Sequence, residues 1–310
     1  ILNNFVSNSL YIWSNLGNYD LRQASLEFEK LDQRFENLKK IQTVFLNCYF
    51  NSSNTNSLFE ELVSNEKTDF SRYNYFYASF AASSKKIDKA KNIVNSALKS
   101  YPRNLLLNQY RLDLNQGNFT SNFDCNNKGH VIAEILYITS NALSSQSIYS
   151  LSNFYLNLAK YLNEEFHSYD TLLAENFYKI GNFEEAKKIY DNIAKKGKAY
   201  KWYASKQLAR IYIQKENKEK ALELVSKAYN NLANKDIYET FDYAEFLKNN
   251  EKFEESILYY TKVIDEVKKN HLLYAEAADG RGVAYERTGE WDKAEKDLLA
   301  SLEADPEQAY

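Results

Sequence analysis

Small residues recur along the second half of this chain at a nearly constant interval: Ala186, Ala221 and Ser256 lie 35 residues apart, and Ala294 follows after 38. A period of this length is too long for one element and too short for a domain. Each unit is therefore a supersecondary piece that buries its apolar face only against its neighbours. Inside the units the spacing is helical. In 167–200, Leu173, Ala174, Phe177, Phe183, Ala186, Tyr190 and Ile193 fall three and four apart on either side of Gly181. The frame 202–235 repeats this with Leu208, Ala209, Tyr212, Ala221, Val225 and Ala228, and 237–270 with Ala244, Leu247, Phe253, Ser256, Tyr260 and Val263. The frame 275–308 carries Gly282, Tyr285, Gly289, Trp291, Ala294, Leu298 and Pro306, and an earlier one, 71–104, carries Ala78, Ala90, Val94, Ala97 and Pro102.

Each frame predicts two antiparallel helices, A and B, with small residues where they cross and aromatics filling the space between units. Enlarging Ala186 or Ala294 is expected to overpack the crossing, at a cost of about 1–3 kcal/mol. Pro102 and Pro306 are expected to end B helices, since proline cannot continue the backbone hydrogen bonding. The longer last step implies an extended link at His271–Tyr274. This order of large, small and aromatic positions in a 34-residue hairpin is the tetratricopeptide (TPR) pattern. The expected fold is all-α, a right-handed α-solenoid of TPR and TPR-like hairpins.

Elsewhere the pattern is looser. A helix is predicted at 105–115, a polar loop at 117–129, and a degenerate hairpin from helices near 130–143 and 146–162. Helical stretches near 5–15, 20–31, 34–50 and 54–65 precede them, with Ala24, Phe28 and Leu31 echoing the B-helix positions. The predicted organisation is 1–66 degenerate repeats, 67–127 a hairpin with a further helix and loop, 128–166 a degenerate hairpin, and 167–310 four consecutive repeats.

Composition supports helices: only 8 Gly and 2 Pro occur among 310 residues, too few for the turns of an all-β chain. A net charge of −3, with no segregated block of Lys and Arg, lacks the footprint of a nucleic-acid binder. No apolar run reaches the roughly 20 residues needed to span a bilayer, and no signal peptide is visible. The two cysteines, Cys48 and Cys125, are far apart in sequence and form neither a disulfide framework nor paired zinc ligands; whether they pair is left open. The chain starts at Ile1 without Met and ends at Tyr310 where another A helix would begin. Both features are expected of a piece of a longer array, whose last apolar face is left open to self-association.

No catalytic pattern emerges. His130, His167 and His271 are too scattered for a local metal motif. Gly280-Arg281-Gly282 has no preceding strand and is explained by the small A-helix position. No G-x-S-x-G or P-loop occurs, and neither Cys adjoins a His. Glu184-Glu185 and Glu254-Glu255 open B helices, where they complement the helix dipole. The glycosylation triplets at Asn51 and Asn118 are expected by chance in an Asn-rich chain. No enzyme activity, cofactor or metal is expected.

Leu273-Tyr274 and the stretch from Gly280 to Leu298, GRGVAYERTGEWDKAEKDL, resemble bacterial TPR proteins of the alphaproteobacterial kind, with a weaker echo at Ala133-Glu134-Ile135-Leu136-Tyr137. The resemblance covers 128–310 well and the remainder loosely. It implies an exported, periplasmic or envelope-associated protein. It also implies a concave groove lined by A-helix side chains, here Tyr203, Lys206, Arg210, Gln214, Tyr238, Phe241, Glu245, Lys248, Asn249, Asp279, Glu286 and Arg287. Aromatics mixed with both signs of charge suit peptide recognition. Lys206 and Arg210 resemble the basic pair of a carboxylate clamp, but Asp242 stands where that pattern wants Asn, so no clamp is expected. The expected function is a protein-interaction scaffold holding a partner peptide or helix, with a role in envelope assembly. The alternative is the recognition part of a larger enzyme, of the glycosyltransferase or sulfotransferase type, with its catalytic domain outside this chain.

Overall fold

The computed structural model describes residues 2–64, 71–232 and 235–306. Among them the chain forms seventeen α-helices and no strand. They are α1 (Leu2–Ser14), α2 (Leu21–Glu29), α3 (Glu36–Tyr49), α4 (Thr55–Val63), α5 (Ser71–Ser83), α6 (Ile87–Ser100), α7 (Leu105–Asn115), α8 (Lys128–Ser145) and α9 (Tyr149–Leu162). They continue with α10 (Ser168–Lys179), α11 (Phe183–Ile193), α12 (Lys198–Gln214), α13 (Lys218–Asn230), α14 (Ile237–Asn249), α15 (Phe253–Glu266), α16 (Leu272–Arg287) and α17 (Trp291–Ala304). The boundary expected at 66/67 and the end of the last frame lie outside the described residues.

Within the hairpins, the turn from helix A to helix B has one recurrent geometry. Lys85, Gly181, Glu216, Glu251 and Gly289 occupy the same place in their frames, and all have positive φ, from 56° to 81°. A residue in this left-handed conformation reverses the chain while letting following amides bond back to the end of helix A, as Glu290 does to the Tyr285 carbonyl. The B helices then start on side-chain caps at Asn182 and Asn217, or on first-turn acids such as Glu254, Glu255 and Asp292.

The small positions sit at the crossings. Ala186, Ala221 and Ser256 are fully buried. Gly282 shows the tolerance: a Cβ there would lie 2.9 Å from the Leu298 side chain on the partner helix α17. Pro102 and Pro306 follow the ends of α6 and α17. One local expectation is corrected: Leu272–Tyr274 are not a link but the first turn of α16, capped by His271, whose Nδ1 accepts from the Leu273 amide at 3.1 Å. The extra residues lengthen an A helix because an apolar Leu-Leu-Tyr run continues the helical stripe and buries Leu273.

Residues 1–200 and 201–310 form two compact units, the division falling inside α12. In the second, core side chains alternate between successive helices. Tyr229 stacks on Tyr243 at 4.2 Å, and Phe241, Ala244, Tyr260, Val263, Leu273 and Ala277 form the next layer. In the first unit the path is not a plain run of neighbours, since α1 packs against α8. The 117–127 segment, expected to be a polar loop, folds inward. Its Phe123 is buried against Phe45 and Phe76, with ring centroids 5.2 and 4.2 Å away. Cys125 beside it forms a disulfide with Cys48 on α3, across 77 residues. The pairing that the sequence left open is thus present as a single bond: tertiary packing of an apolar Phe-x-Cys segment brings together what the chain separates.

Candidate functional site

The A helices of the second unit carry every groove residue named from the sequence, and the structure sorts them. Lys206 on α12 is ion-paired with Asp242 on α14 and lies 5.2 Å from the Trp202 ring. The residue standing where a carboxylate clamp has Asn thus neutralises the lysine. On α14, Lys248 Nζ donates to Glu245 Oε1 at 2.8 Å, and the Tyr260 hydroxyl of α15 donates to the same carboxylate. Burial first, and then the Glu245 charge, push the Tyr260 phenol well above its usual range, so it remains a donor. Tyr238 lies against His271 with ring centroids 6.1 Å apart. Arg210 donates to Gln207 one turn earlier on its own helix.

Tyr203, Tyr238 and Glu286 are half-buried, whereas Gln214, Asn249, Asp279 and Arg287 are exposed. Phe241 is corrected. It is only 7% exposed and packs in the core with Tyr260, so it supports the helix rather than lining a groove. Phe241 lies in the second turn of α14 and shares its core layer with Ala244, Tyr260 and Val263.

The first unit holds a second concavity that the sequence reading did not identify. A cleft of about 420 Å³ opens between α5, α7, α8 and α10, bordered by Ser71, Arg72, Asn104, Tyr137, Asn141, Thr171 and Tyr200. At its base Arg72 makes a bidentate pair with Glu134, both contacts at 2.7 Å. The guanidinium lies 3.9 Å from the Tyr137 ring centroid and 4.8 Å from that of Phe166. Glu134 is fully buried, and burial pushes its carboxyl above the usual range although Arg72 and the Tyr73 hydroxyl draw it down. A lone acid within the apolar Val131–Ile138 run of α8 was the sequence signal for this site, since an acid on a buried face needs a partner.

Two histidines of the first unit are held by their neighbours. His130 Nδ1 accepts the Asp124 amide at 3.0 Å, and His167 is buried beside Asp170 and Tyr200. Among the described residues no cluster of His, Cys, Asp or Glu could hold a metal ion, and no helix is long and apolar enough to cross a membrane.

No curated protein matches the chain. Among solved structures it is similar to YrrB, described as a TPR protein with an unusual peptide-binding site, at 19% identity over 56% of this chain and 87% of that one, TM-score 0.38. It is similar to MamA from Desulfovibrio magneticus RS-1 at 14% identity, over 57% of this chain and 97% of that one, TM-score 0.41. It is likewise similar to a chain of the APC/C hetero-tetramer Cut9–Hcn1, at 14% identity over 92% of this chain and 50% of that one, TM-score 0.41. Residues 171–236 and 246–309 match the tetratricopeptide repeat family, over the same helices whose crossings and turns are described above. Those two segments, together less than half of the chain, are what it shares with the tetratricopeptide repeat family.

Proposed function

We propose that the chain is a non-catalytic scaffold that holds a partner peptide or helix on the A-helix face of its second unit. The observation that carries this reading is the row formed by Lys206–Asp242 and Glu245–Lys248 across two neighbouring A helices. It sets charges of both signs in place beside half-buried Tyr203 and Tyr238. Aromatic faces and ordered charges give a peptide both anchoring area and direction, at little entropic cost because the side chains are already held. The compartment we propose is an oxidising one, such as the cell envelope offers; the Cys48–Cys125 bond supports it, because such bonds persist where thiols are not kept reduced.

The test is selection of binding peptides from a displayed library, followed by calorimetric titration of wild type and of a Lys206→Glu/Arg210→Glu/Tyr238→Ala variant with matching circular dichroism. The expected result is at least about tenfold weaker binding by the variant, the loss of one or two well-packed contacts. Equal affinity for both proteins would remove the groove from consideration.

A further inference from the structure

We propose that the outer face of α9 is the contact surface of a homodimer, in which two copies of α9 pair antiparallel. The face carries Ile148, Leu151, Phe154, Leu158 and Tyr161, spaced three or four residues apart, and all are exposed, Phe154 by 57% and Tyr161 by 87%. A continuous apolar stripe on one helix differs from the scattered exposed apolar residues of ordinary surfaces, and patches of this kind mark interaction sites.

Comparison with equivalent helices shows that the stripe is not a general property of the fold. The outer face of α11 exposes Glu184, Lys188 and Asp191, and that of α13 exposes Lys218, Glu219, Glu223 and Lys227. The α15 face exposes Leu258 but surrounds it with Glu254, Glu255, Lys262 and Asp265. By contrast, no charged residue occurs between Glu134 and Lys160. The absence of charge removes the usual device for choosing a foreign partner helix or fixing its direction. An anionic lipid surface is disfavoured as well, because the nearest cation, Lys160, is held by Asp170 at 2.5 Å and the exposed Glu164 and Glu165 follow the stripe.

A second copy satisfies what the face lacks. The stripe is nearly symmetric about its centre, so that antiparallel pairing sets Ile148 against the mate's Tyr161, Leu151 against its Leu158, and Phe154 beside its Tyr155. Such a contact is isologous, the same surface used twice. Charge also selects the direction. Helix α9 has neither a side-chain N-cap nor an acid in its first turn, unlike α6, α11, α13, α15 and α17, each of which has one or the other. Antiparallel pairing brings Glu164 and Glu165 of each copy toward the positive end of the other's α9, whereas parallel pairing would set the four carboxylates side by side. A single stripe is smaller than the 20–30 residues a side of a standard stable interface, so the dimer is reversible.

Two measurements test this. Sedimentation equilibrium of wild type should show the 36.2 kDa chain passing from dimer to monomer on dilution through the micromolar range. A Leu151→Glu/Phe154→Glu variant with unchanged circular dichroism should associate at least about tenfold more weakly. For orientation, both native cysteines are paired, so an introduced thiol is the single reactive one. Ile148→Cys mixed with Tyr161→Cys should be joined by a short bis-maleimide, while each alone should not, their positions lying about 20 Å apart along the helix. A wild type that is monomeric at every concentration, a variant that associates as wild type does, or cross-linking within each single variant but not between them would overturn the proposal.

Discussion

A residue's neighbours decide its fate only after its backbone has. Lys85, Gly181, Glu216, Glu251 and Gly289 share one turn position and one left-handed backbone, yet just two of them are glycine. For a side-chain-bearing residue that region costs on the order of 1 kcal/mol. Glu216 is exposed, and a Cβ at Gly181 or Gly289 meets nothing within 4 Å. Substitutions here therefore report conformation alone. Glu216→Gly is expected to raise stability by about 0.5–1 kcal/mol, and Gly181→Ala to lower it by about 1 kcal/mol. Urea unfolding of the two variants checks both signs; a Glu216→Gly midpoint at or below wild type would mean that the turn is not strained. At this same scale the groove residues were named from position alone. Position in a hairpin identifies the helix face, but not how deep each ring on it lies: Phe241 is 7% exposed and packs against Tyr260.

Elements were legible where apolar spacing was strong. From α5 to α17 the helices follow the three-and-four pattern, with α16 starting earlier than its frame, because a helix with one apolar stripe has a single way to bury it. Pairings between elements distant in sequence were not, and the Arg72–Glu134 bridge from α5 to α8 is the clearest example. Glu134 lost its hydration on folding, and the bidentate Arg72 pair, with the Tyr73 hydroxyl, offsets part of that cost. Arg72→Met or Glu134→Gln alone is expected to destabilise the first unit by about 3–5 kcal/mol, by leaving a buried group uncompensated. The double variant Arg72→Met/Glu134→Leu is expected to recover most of that loss. Thermal unfolding of the three variants makes the double-mutant cycle, and additive losses would show that the bridge is not what holds the two helices together.

At the scale of the whole molecule, one covalent bond changes the unfolded chain. The Cys48–Cys125 disulfide closes a 77-residue loop, which in a chain-entropy account restricts the unfolded state by roughly 4–5 kcal/mol. Cys48→Ala/Cys125→Ala, or reductant, is expected to lower the unfolding midpoint markedly. Denatured wild type should titrate no thiols before reduction and two after it. Two thiols found without reductant would dismiss the pairing and the oxidising compartment together. By itself, the sequence determined the hairpins: the period, the small crossing residues, the turns and the absence of any catalytic motif are local patterns, readable because helix formation and hairpin packing depend on neighbours within about 35 residues. Tertiary structure alone decided the return of α1 onto α8, the burial of Phe123, the cysteine pair, the Arg72 cleft and the apolar face left on α9. These depend on which surfaces meet across long stretches of chain, and no periodicity records which apolar face finds a partner and which is left to another molecule.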